Sequence, residues 1–250
     1  RRTGGPPPPP IARVCPDASI LRLVNYGGMP SSTATVVALR TRDADRTQQL
    51  ILRAAMAEFS NAGLGGARID AIAERAGVNK KLIYYYYGSK DALFLAVMEQ
   101  TYADIREAER ELHLADLPPA EAVRRLVTFT WEHYLLHPEF LTLLNSENLH
   151  QARHLKQSTR IREMNSPLIQ TLGEVLERGR REGLFRGGVD PMQLYISIAG
   201  LSYFYLGNNH TLSAIFGRNL MAPRARAERL SHMCDVILGY VLRDGPATAD

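Results

Sequence analysis

Apolar residues recur with a helical period from about residue 45 to the end of the chain. The first such face begins at Leu50 and continues one, four, five and nine residues later, at Ile51, Ala54, Ala55 and Phe59. Asp45 and Gln48 have the spacing of a capping box, and Gly63 is a suitable stop, so a first helix is predicted between them.

The same period predicts further helices, and starts are marked by Asn, Ser or Pro at several of them. The predicted ranges are 69–76, 79–87, 90–112, 118–137, 138–148, 158–182, 191–208, 211–216 and 223–243. No segment alternates apolar and polar residues as a half-buried strand does. The sequence therefore predicts an all-α fold.

Residues 1–40 lack such a period. The chain opens with RRTGGPPPPP, which favours an extended polyproline conformation and excludes the apolar segment of a twin-arginine export signal. We predict a disordered tail over residues 1–40, of which residues 1–28 are upstream sequence or dispensable. Arg40, Arg42 and Arg46 are candidates for a basic arm along DNA.

Charge is unevenly distributed along the 250 residues. The net charge is +4, but residues 1–99 hold 13 lysines and arginines against 8 aspartates and glutamates, and the remainder holds 17 against 18. A basic N-terminal part favours a polyanion-binding module, although the scatter of ordinary surfaces is the alternative. Two cysteines build neither a disulfide framework nor a zinc site, and no apolar stretch is long enough to span a membrane. We expect a cytoplasmic protein without a membrane partner.

Residues 69–86 have the pattern of a helix-turn-helix. A small residue, Ala73, stands where two helices approach, and Gly77 suits a left-handed turn four residues later. Asn79 is a good N-cap for the second helix. Val78 and Ile83 supply the apolar contact between the two helices. The alternative is a helical hairpin without a DNA-binding role.

The second helix of this motif begins with two lysines and continues with four tyrosines. Lys80 and Lys81 occupy the first turn, where a recognition helix meets bases and phosphates. Tyr84 and Tyr85 are predicted on the outer face, and the two tyrosines that follow are predicted to pack inward.

Residues 47–99 resemble the DNA-binding domain of the TetR family of bacterial transcriptional regulators. The matching pieces, in order, are ILRAAMAEFSNAG, IDAIAERAGVNKKLIYYYYGSKDALF and LAVME. The resemblance implies a DNA-binding domain over residues 41–92, and a helical domain over residues 93–245 that dimerises and binds an effector. The DNA-contacting residues that it implies are Arg68, Asn79, Lys80, Lys81, Leu82, Tyr84, Tyr85 and Lys90.

Three positions depart from the family pattern. Ala67 stands where a Thr or Ser usually caps the second helix, so one phosphate contact is missing from that side chain. Tyr85 replaces the usual His or Asn, which changes the base contact. Lys81 replaces a commonly smaller residue and adds a charge over the groove.

The C-terminal body has a weaker resemblance to the subgroup of the family that includes the pyrimidine-utilisation regulators. It rests on the order of helices, on a Tyr-x2-His-Pro-x-Phe element at residues 134–140 and on a spread form of a Gly-x-Leu-x5-Asp-Pro element at residues 183–191. Helices 191–208 and 223–243 are the predicted dimerisation pair, and burial within one chain is the alternative.

Aromatic and polar residues of the body suggest a ligand pocket, although aromatic residues at helical spacing usually belong to the core. The candidate residues are Phe129, Trp131, Tyr134, Asn145, Glu147, Asn148, Tyr203 and Phe204. Glu147, His150 and His154 share a helical face, but without a fourth ligand we expect a solvated surface and no metal. No catalytic motif occurs, and we expect neither enzymatic activity nor a cofactor.

The favoured function is a ligand-responsive dimeric repressor that binds a palindromic operator and is released by an unknown small-molecule effector. One alternative is an activator or architectural DNA-binding protein that needs no ligand. Another is an all-α enzyme or interaction scaffold whose helical hairpin only looks like a DNA-binding motif.

Overall fold

The computed structural model describes the backbone of residues 32–243 and the side chains of residues 43–243, except those of residues 165 and 166. The chain divides into a short first unit that ends at Asp43 and a second unit that begins at Ala44. Ten α-helices occur over the described residues: α1 (Ser32–Gly66), α2 (Ile69–Ala76), α3 (Lys80–Tyr87), α4 (Lys90–Arg110), α5 (Pro119–Leu136), α6 (Pro138–Leu149), α7 (Thr159–Arg181), α8 (Pro191–Gly207), α9 (Asn209–Phe216) and α10 (Pro223–Val241).

The predicted all-α class is confirmed for residues 32–243, where the only β pairing is an isolated bridge between Phe185 and Leu242. Two short 3-10 helices, Leu114–Asp116 and Leu155–Gln157, precede α5 and α7. Proline occupies the first position of α5, α6, α8 and α10, where its missing N–H costs no helical hydrogen bond. Within the described part of the chain, no helix has the length and apolarity needed to span a bilayer.

The start of α1 differs from the prediction. The helix begins at Ser32, so Asp45 and Gln48 lie inside it and form no capping box at its start. The preceding residues include alanines, a leucine and arginines, which favour helix, and their Thr and Val neighbours cost only a few tenths of a kcal/mol each. At the predicted stop, Gly63, the helix is interrupted by a kink: the backbone angles there are φ 65° and ψ 174°, which a residue with a Cβ rarely adopts, and one short helical piece follows up to Gly66.

The rest of the predicted tail lies outside the described residues. This includes residues 1–28, proposed above as dispensable, and the first cysteine. The side chains of Arg40 and Arg42 also lie outside them, so of the predicted basic arm only Arg46 is described with its side chain.

Two hydrophobic clusters hold the second unit together. The N-terminal core joins α1 to α4 and includes Ile51, Phe59, Ile72, Ile83, Phe94 and Met98. The C-terminal core is formed by the helices from α4 through α8 together with α10. It includes Val123, Leu126, Trp131, Leu172, Ile198 and Met233. Leu143 of α6 is fully buried within the N-terminal core, so α6 contributes to the packing of the first four helices.

Gly179, near the end of α7, gives a test of the C-terminal packing. A Cβ at this position would overlap the ring of Phe185, which is itself buried. A Cβ at Gly173, two turns earlier, would make an ordinary contact of 3.7 Å with Pro191.

We therefore expect Gly179→Ala to lower the free energy of unfolding by about 1–3 kcal/mol, because the ring has little room to move. Gly173→Ala is the matched control, and its higher helix propensity should leave stability unchanged or raise it by up to about 1 kcal/mol. Urea unfolding followed by circular dichroism measures both variants. Equal stabilities of the two variants would contradict the close packing at Gly179.

Candidate functional site

The hairpin of α2 and α3 has the geometry that its sequence predicts. Gly77 is left-handed, with φ 67° and ψ 31°, and the N–H of Val78 donates to the carbonyl of Ala73 at 3.0 Å. Asn79 caps α3, because its Oδ1 accepts a hydrogen bond from the N–H of Lys81 at 2.9 Å. Ile83 is buried beneath the hairpin. The first turn of α3 is therefore held firmly while its outer face stays open.

The predicted outward placement of Tyr84 and Tyr85 is confirmed. Their exposed fractions are 48% and 79%, whereas Tyr86 and Tyr87 are half-buried against the N-terminal core. The Tyr87 hydroxyl donates to the carbonyl of Gln48 at 3.3 Å, and burial raises the pKa of Tyr87. Two exposed tyrosine rings thus stand on the surface of α3.

The lysines around the hairpin differ in their partners. Lys80 pairs with Asp70 of α2 at 3.0 Å, whereas Lys81 makes no ion pair with any residue that the structure describes. The Lys90 ammonium donates to the carbonyls of Gly65 and Ala67, at 3.4 and 3.2 Å. Lys81 is consequently the lysine of α3 whose charge no described carboxylate offsets.

The start of α2 is capped in a way that sequence reasoning missed. Ala67 is buried, and the capping position belongs to Arg68, whose side chain makes no cap. Instead the Arg68 N–H donates to Glu58 Oε1 of α1 at 3.1 Å. The sequence feature that could have predicted this contact is Glu58, an acidic residue on the apolar face of α1 directly before Phe59. The Arg68 side chain stays exposed beside the hairpin.

The expected solvated face of Glu147, His150 and His154 is wrong for two of its members. Glu147 and His154 are buried, and Glu147 Oε2 lies 2.6 Å from His154 Nδ1. They are buried because the loop after α6 folds back over Glu147, which helical spacing alone does not predict. Among the described residues, no group of three or more His, Cys, Asp or Glu side chains is placed to hold a metal ion.

The structure places the eight residues of the predicted pocket in different surroundings. Trp131 and Tyr134 are buried in the C-terminal core, because they continue the inward stripe of α5. Glu147 is bound to His154, and Tyr203 donates to Asn145 at the surface. The other three members lie apart: Phe129 is half-buried, and Asn148 and Phe204 are exposed.

A cavity of about 470 Å³ lies instead between α4 and α7. Arg106 and Glu109 of α4 line it and are almost fully buried, with Arg106 Nη1 2.8 Å from Glu109 Oε2. That contact is an ion pair without the alignment of a hydrogen bond, so neither Glu109 oxygen accepts a hydrogen bond from any residue that the structure describes. Burial raises the pKa of Glu109 to about 7, against the lowering effect of Arg106. Both residues lie on the buried face of α4, so their place in its apolar stripe was the sequence feature that could have indicated this cavity.

An apolar surface extends over the outer sides of α8 and α10. A groove of about 560 Å³ runs between them. Five large apolar side chains on these helices are between 42% and 59% exposed: Met192, Ile196, Phe204, Val236 and Tyr240. Exposed apolar surfaces of this kind occur at protein–protein interfaces, at membrane contacts and in ligand-binding grooves. These are the two helices that the sequence predicts as the dimerisation pair.

Comparison with known proteins connects this geometry with one family. Residues 51–97 match the profile described as bacterial regulatory proteins, tetR family. Residues 119–237 match the profile described as tetracyclin repressor-like, C-terminal domain. The first match contains the α2–α3 hairpin, and the second contains most of the C-terminal helices.

Individual relatives agree with these matches. The HTH-type transcriptional repressor NicS of Pseudomonas putida is 41% identical over 200 residues, which are 80% of this chain and 94% of NicS. The HTH-type transcriptional regulator RutR of Escherichia coli is 34% identical over 110 residues, 44% of this chain and 51% of RutR. A TetR family regulator from Marinobacter aquaeolei VT8 shares the fold, with a TM-score of 0.61, 19% identity and coverage of 82% of this chain and 100% of that chain.

The predicted resemblance is thereby confirmed across both the hairpin and the C-terminal helices. The relatives are named as regulators of transcription, in agreement with the expectation that this chain is a DNA-binding regulator and not an enzyme. The chain belongs to the TetR family of bacterial transcriptional regulators.

Proposed function

We propose that this protein is a dimeric repressor that binds a palindromic operator through α3 and leaves it when a small effector binds. The observation that carries the proposal is the outer face of α3. There Lys81, Tyr84 and Tyr85 stand exposed on a hairpin that is capped at one end and packed on the N-terminal core. The name of the relative NicS, a transcriptional repressor, supports repression as the direction of control.

Each exposed group at the hairpin has a role that its chemistry supports. Lys81 is placed to donate to base edges in the major groove, and Tyr85 to contact bases or thymine methyls. The Tyr84 hydroxyl and the cations of Arg68 and Lys90 are assigned to phosphates, which fix register without reading sequence. Lys80 exchanges its exposed Asp70 partner for phosphate at little cost, because surface ion pairs are weak.

Two further residues complete the proposed interface. Asn79 holds the N-terminus of α3 in place through its cap. Leu82 is half-buried beside Lys81 and offers an apolar contact at the groove edge. A helix-turn-helix dimer needs its two recognition helices about 34–36 Å apart to enter successive major grooves.

Dimerisation is proposed through the apolar surface of α8 and α10. Two copies related by a two-fold axis would pair the same helices and build a four-helix seam. Phe204 is 59% exposed and faces the groove that Val236 and Tyr240 also line, so it is placed near the middle of the seam. Residues of this position and type carry a large share of interface energies.

Phe204→Glu should therefore raise the dimer dissociation constant by about 30-fold or more, because an unpaired carboxylate would enter an apolar seam. Leu136→Glu is the control, since Leu136 is 75% exposed at the end of α5 and outside the surface of α8 and α10. Sedimentation velocity across a dilution series measures the change. If Phe204→Glu dimerises like the unaltered protein, the seam lies elsewhere.

The cavity between α4 and α7 is proposed as the effector site, in place of the aromatic set. An effector there would present a hydrogen-bond acceptor to Arg106 and a donor to Glu109, while Leu114, Met164 and Leu168 contact its apolar body. Small-molecule sites commonly combine an apolar lining with a few such polar groups. Because α4 begins directly after α3, a ligand that shifts α4 changes the separation of the two recognition helices.

The proposal is tested by selecting DNA from a random-sequence pool with the full-length protein. Enrichment of an inverted repeat with half-sites one helical turn apart is the expected result. Failure to enrich any sequence would favour the scaffold alternative. Compounds are then screened for release of the selected DNA in fluorescence anisotropy, and a protein that no compound releases would favour the ligand-independent activator.

A further inference from the structure

One buried histidine joins the loop after α6 to the first turn of α4. The His154 side chain is 4% exposed, and its two ring nitrogens face carboxylates from different parts of the chain. Nδ1 lies 2.6 Å from Glu147 Oε2, and Nε2 lies 3.1 Å from Asp91 Oδ1. We call Asp91, Glu147 and His154 the His154 bridge.

Glu147 holds the loop side of this bridge in place. Its Oε1 accepts hydrogen bonds from the N–H groups of His154 and Leu155, at 2.8 and 3.0 Å. The loop includes Gln151 and Ala152 with φ of 56° and 55°, a conformation that costs free energy for residues with a Cβ. The hydrogen bonds to the buried carboxylate therefore hold the loop in a form that its own backbone disfavours.

The other side of the bridge lies in α4, directly after the hairpin. Asp91 belongs to the first turn of α4, next to Lys90, which donates to the carbonyls that precede α2. The His154 ring also packs edge-on against Phe94, with centroids 5.1 Å apart, and Phe94 packs against Phe59 of α1. The bridge thus contacts the segment that directly follows α3.

The exposed part of the network differs from the buried part. Arg153 donates to Asp91 Oδ1 at 2.9 Å, and its Nε lies 3.3 Å from His154 Nε2, but its side chain is 57% exposed. The hydrogen bond with His154 lowers the pKa of Asp91, with Arg153 as a further cause. Since exposed ion pairs contribute little, His154 is the partner that anchors Asp91.

We propose that the His154 bridge fixes the orientation of α3 relative to the C-terminal helices, and thereby sets the half-site spacing at which the dimer binds DNA. Asp91, Glu147 and His154 are positioning residues in this role and touch no base. The inference rests on the proposed function, since only a dimer with two recognition helices has a preferred spacing. One base-pair step is about 3.4 Å, so a small rotation at the start of α4 changes which spacing fits.

The test uses Asp91→Ala and His154→Gln in the full-length protein, with Arg153→Ala as the matched control. Binding is measured by anisotropy on the selected operator, on versions with one or two base pairs added or removed between half-sites, and on a single half-site. The unaltered protein and Arg153→Ala should prefer one spacing by about tenfold or more. The two bridge variants should reduce that preference to about threefold or less while single-half-site affinity stays unchanged.

Other outcomes separate this inference from the proposed function. Bridge variants that bind every spacing more weakly by one common factor would show a merely structural role and overturn the inference. Asp91 is 56% exposed, so Asp91→Ala keeps the test valid even if His154→Gln does not fold. An unaltered protein without any spacing preference would contradict dimeric operator binding itself, and the inference with it.

Discussion

Lys81→Ala should weaken operator binding by about 1–3 kcal/mol for each of two half-sites and should affect random DNA much less. The reason is that Lys81 is exposed on the first turn of α3 and no described carboxylate offsets its charge. If Lys81 donates to a base edge, the protein loses sequence discrimination when this side chain is removed. Fluorescence anisotropy on operator and scrambled duplexes across a salt series measures this difference.

Two neighbouring substitutions give the contrast. Lys90→Ala should weaken binding to both duplexes about equally and reduce the salt slope by about one per subunit, because a phosphate contact carries no sequence information. Tyr84→Phe removes only a hydroxyl, and a similar loss on both duplexes would assign that hydroxyl to the backbone. If all three variants bind the operator like the unaltered protein, α3 does not read the DNA.

Lys90 combines a proposed phosphate contact with an observed structural contact in one side chain. Its ammonium donates to the carbonyls of Gly65 and Ala67 in the free protein. A phosphate at this place would either compete with those carbonyls for the ammonium or accept a hydrogen bond from another of its three hydrogens. Lys90→Ala therefore also loosens the link before α2, and its melting temperature has to be compared with its loss of DNA binding.

Local chemistry explains why the helices and the hairpin could be predicted. Gly77 and Asn79 determine the turn and the cap through their own backbone and side-chain geometry, and both act within a few residues. Prolines mark four helix starts for the same reason. The start of α1 was missed because Asp45 and Gln48 satisfy a capping pattern that an upstream helix overrides.

The surroundings of the candidate site residues depend on tertiary contacts. Asp91 and His154 are 63 residues apart, and one sequence without relatives carries no sign that they meet. Of the aromatic residues predicted to line a pocket, Trp131 and Tyr134 belong to the C-terminal core, whereas Arg106 and Glu109 line the cavity between α4 and α7. The sequence signal for that cavity is the apolar stripe of α4 in which Arg106 and Glu109 stand, because an ion pair is buried only where its surroundings compensate for the loss of water.

Phe94→Ala should lower the free energy of unfolding by about 3–5 kcal/mol, the largest expected loss of stability among the variants named above. Phe94 is fully buried and packs edge-on against both Phe59 and His154, so its removal leaves a cavity where the N-terminal core meets the His154 bridge. Tyr85→Ala is the aromatic control: the ring is 79% exposed, and its loss should change stability by no more than about 0.5 kcal/mol.

The measurement is urea unfolding at one fixed protein concentration, because the proposed dimerisation would make apparent stability depend on concentration. The two variants should then differ in opposite ways in stability and in affinity for the operator. Phe94→Ala should lose stability because it empties part of a packed core, whereas Tyr85→Ala should stay folded and lose affinity for the operator, because its exposed ring is proposed to contact bases. A stable Phe94→Ala variant would mean that the N-terminal core collapses around the missing ring, and the bridge would then rest on its hydrogen bonds alone.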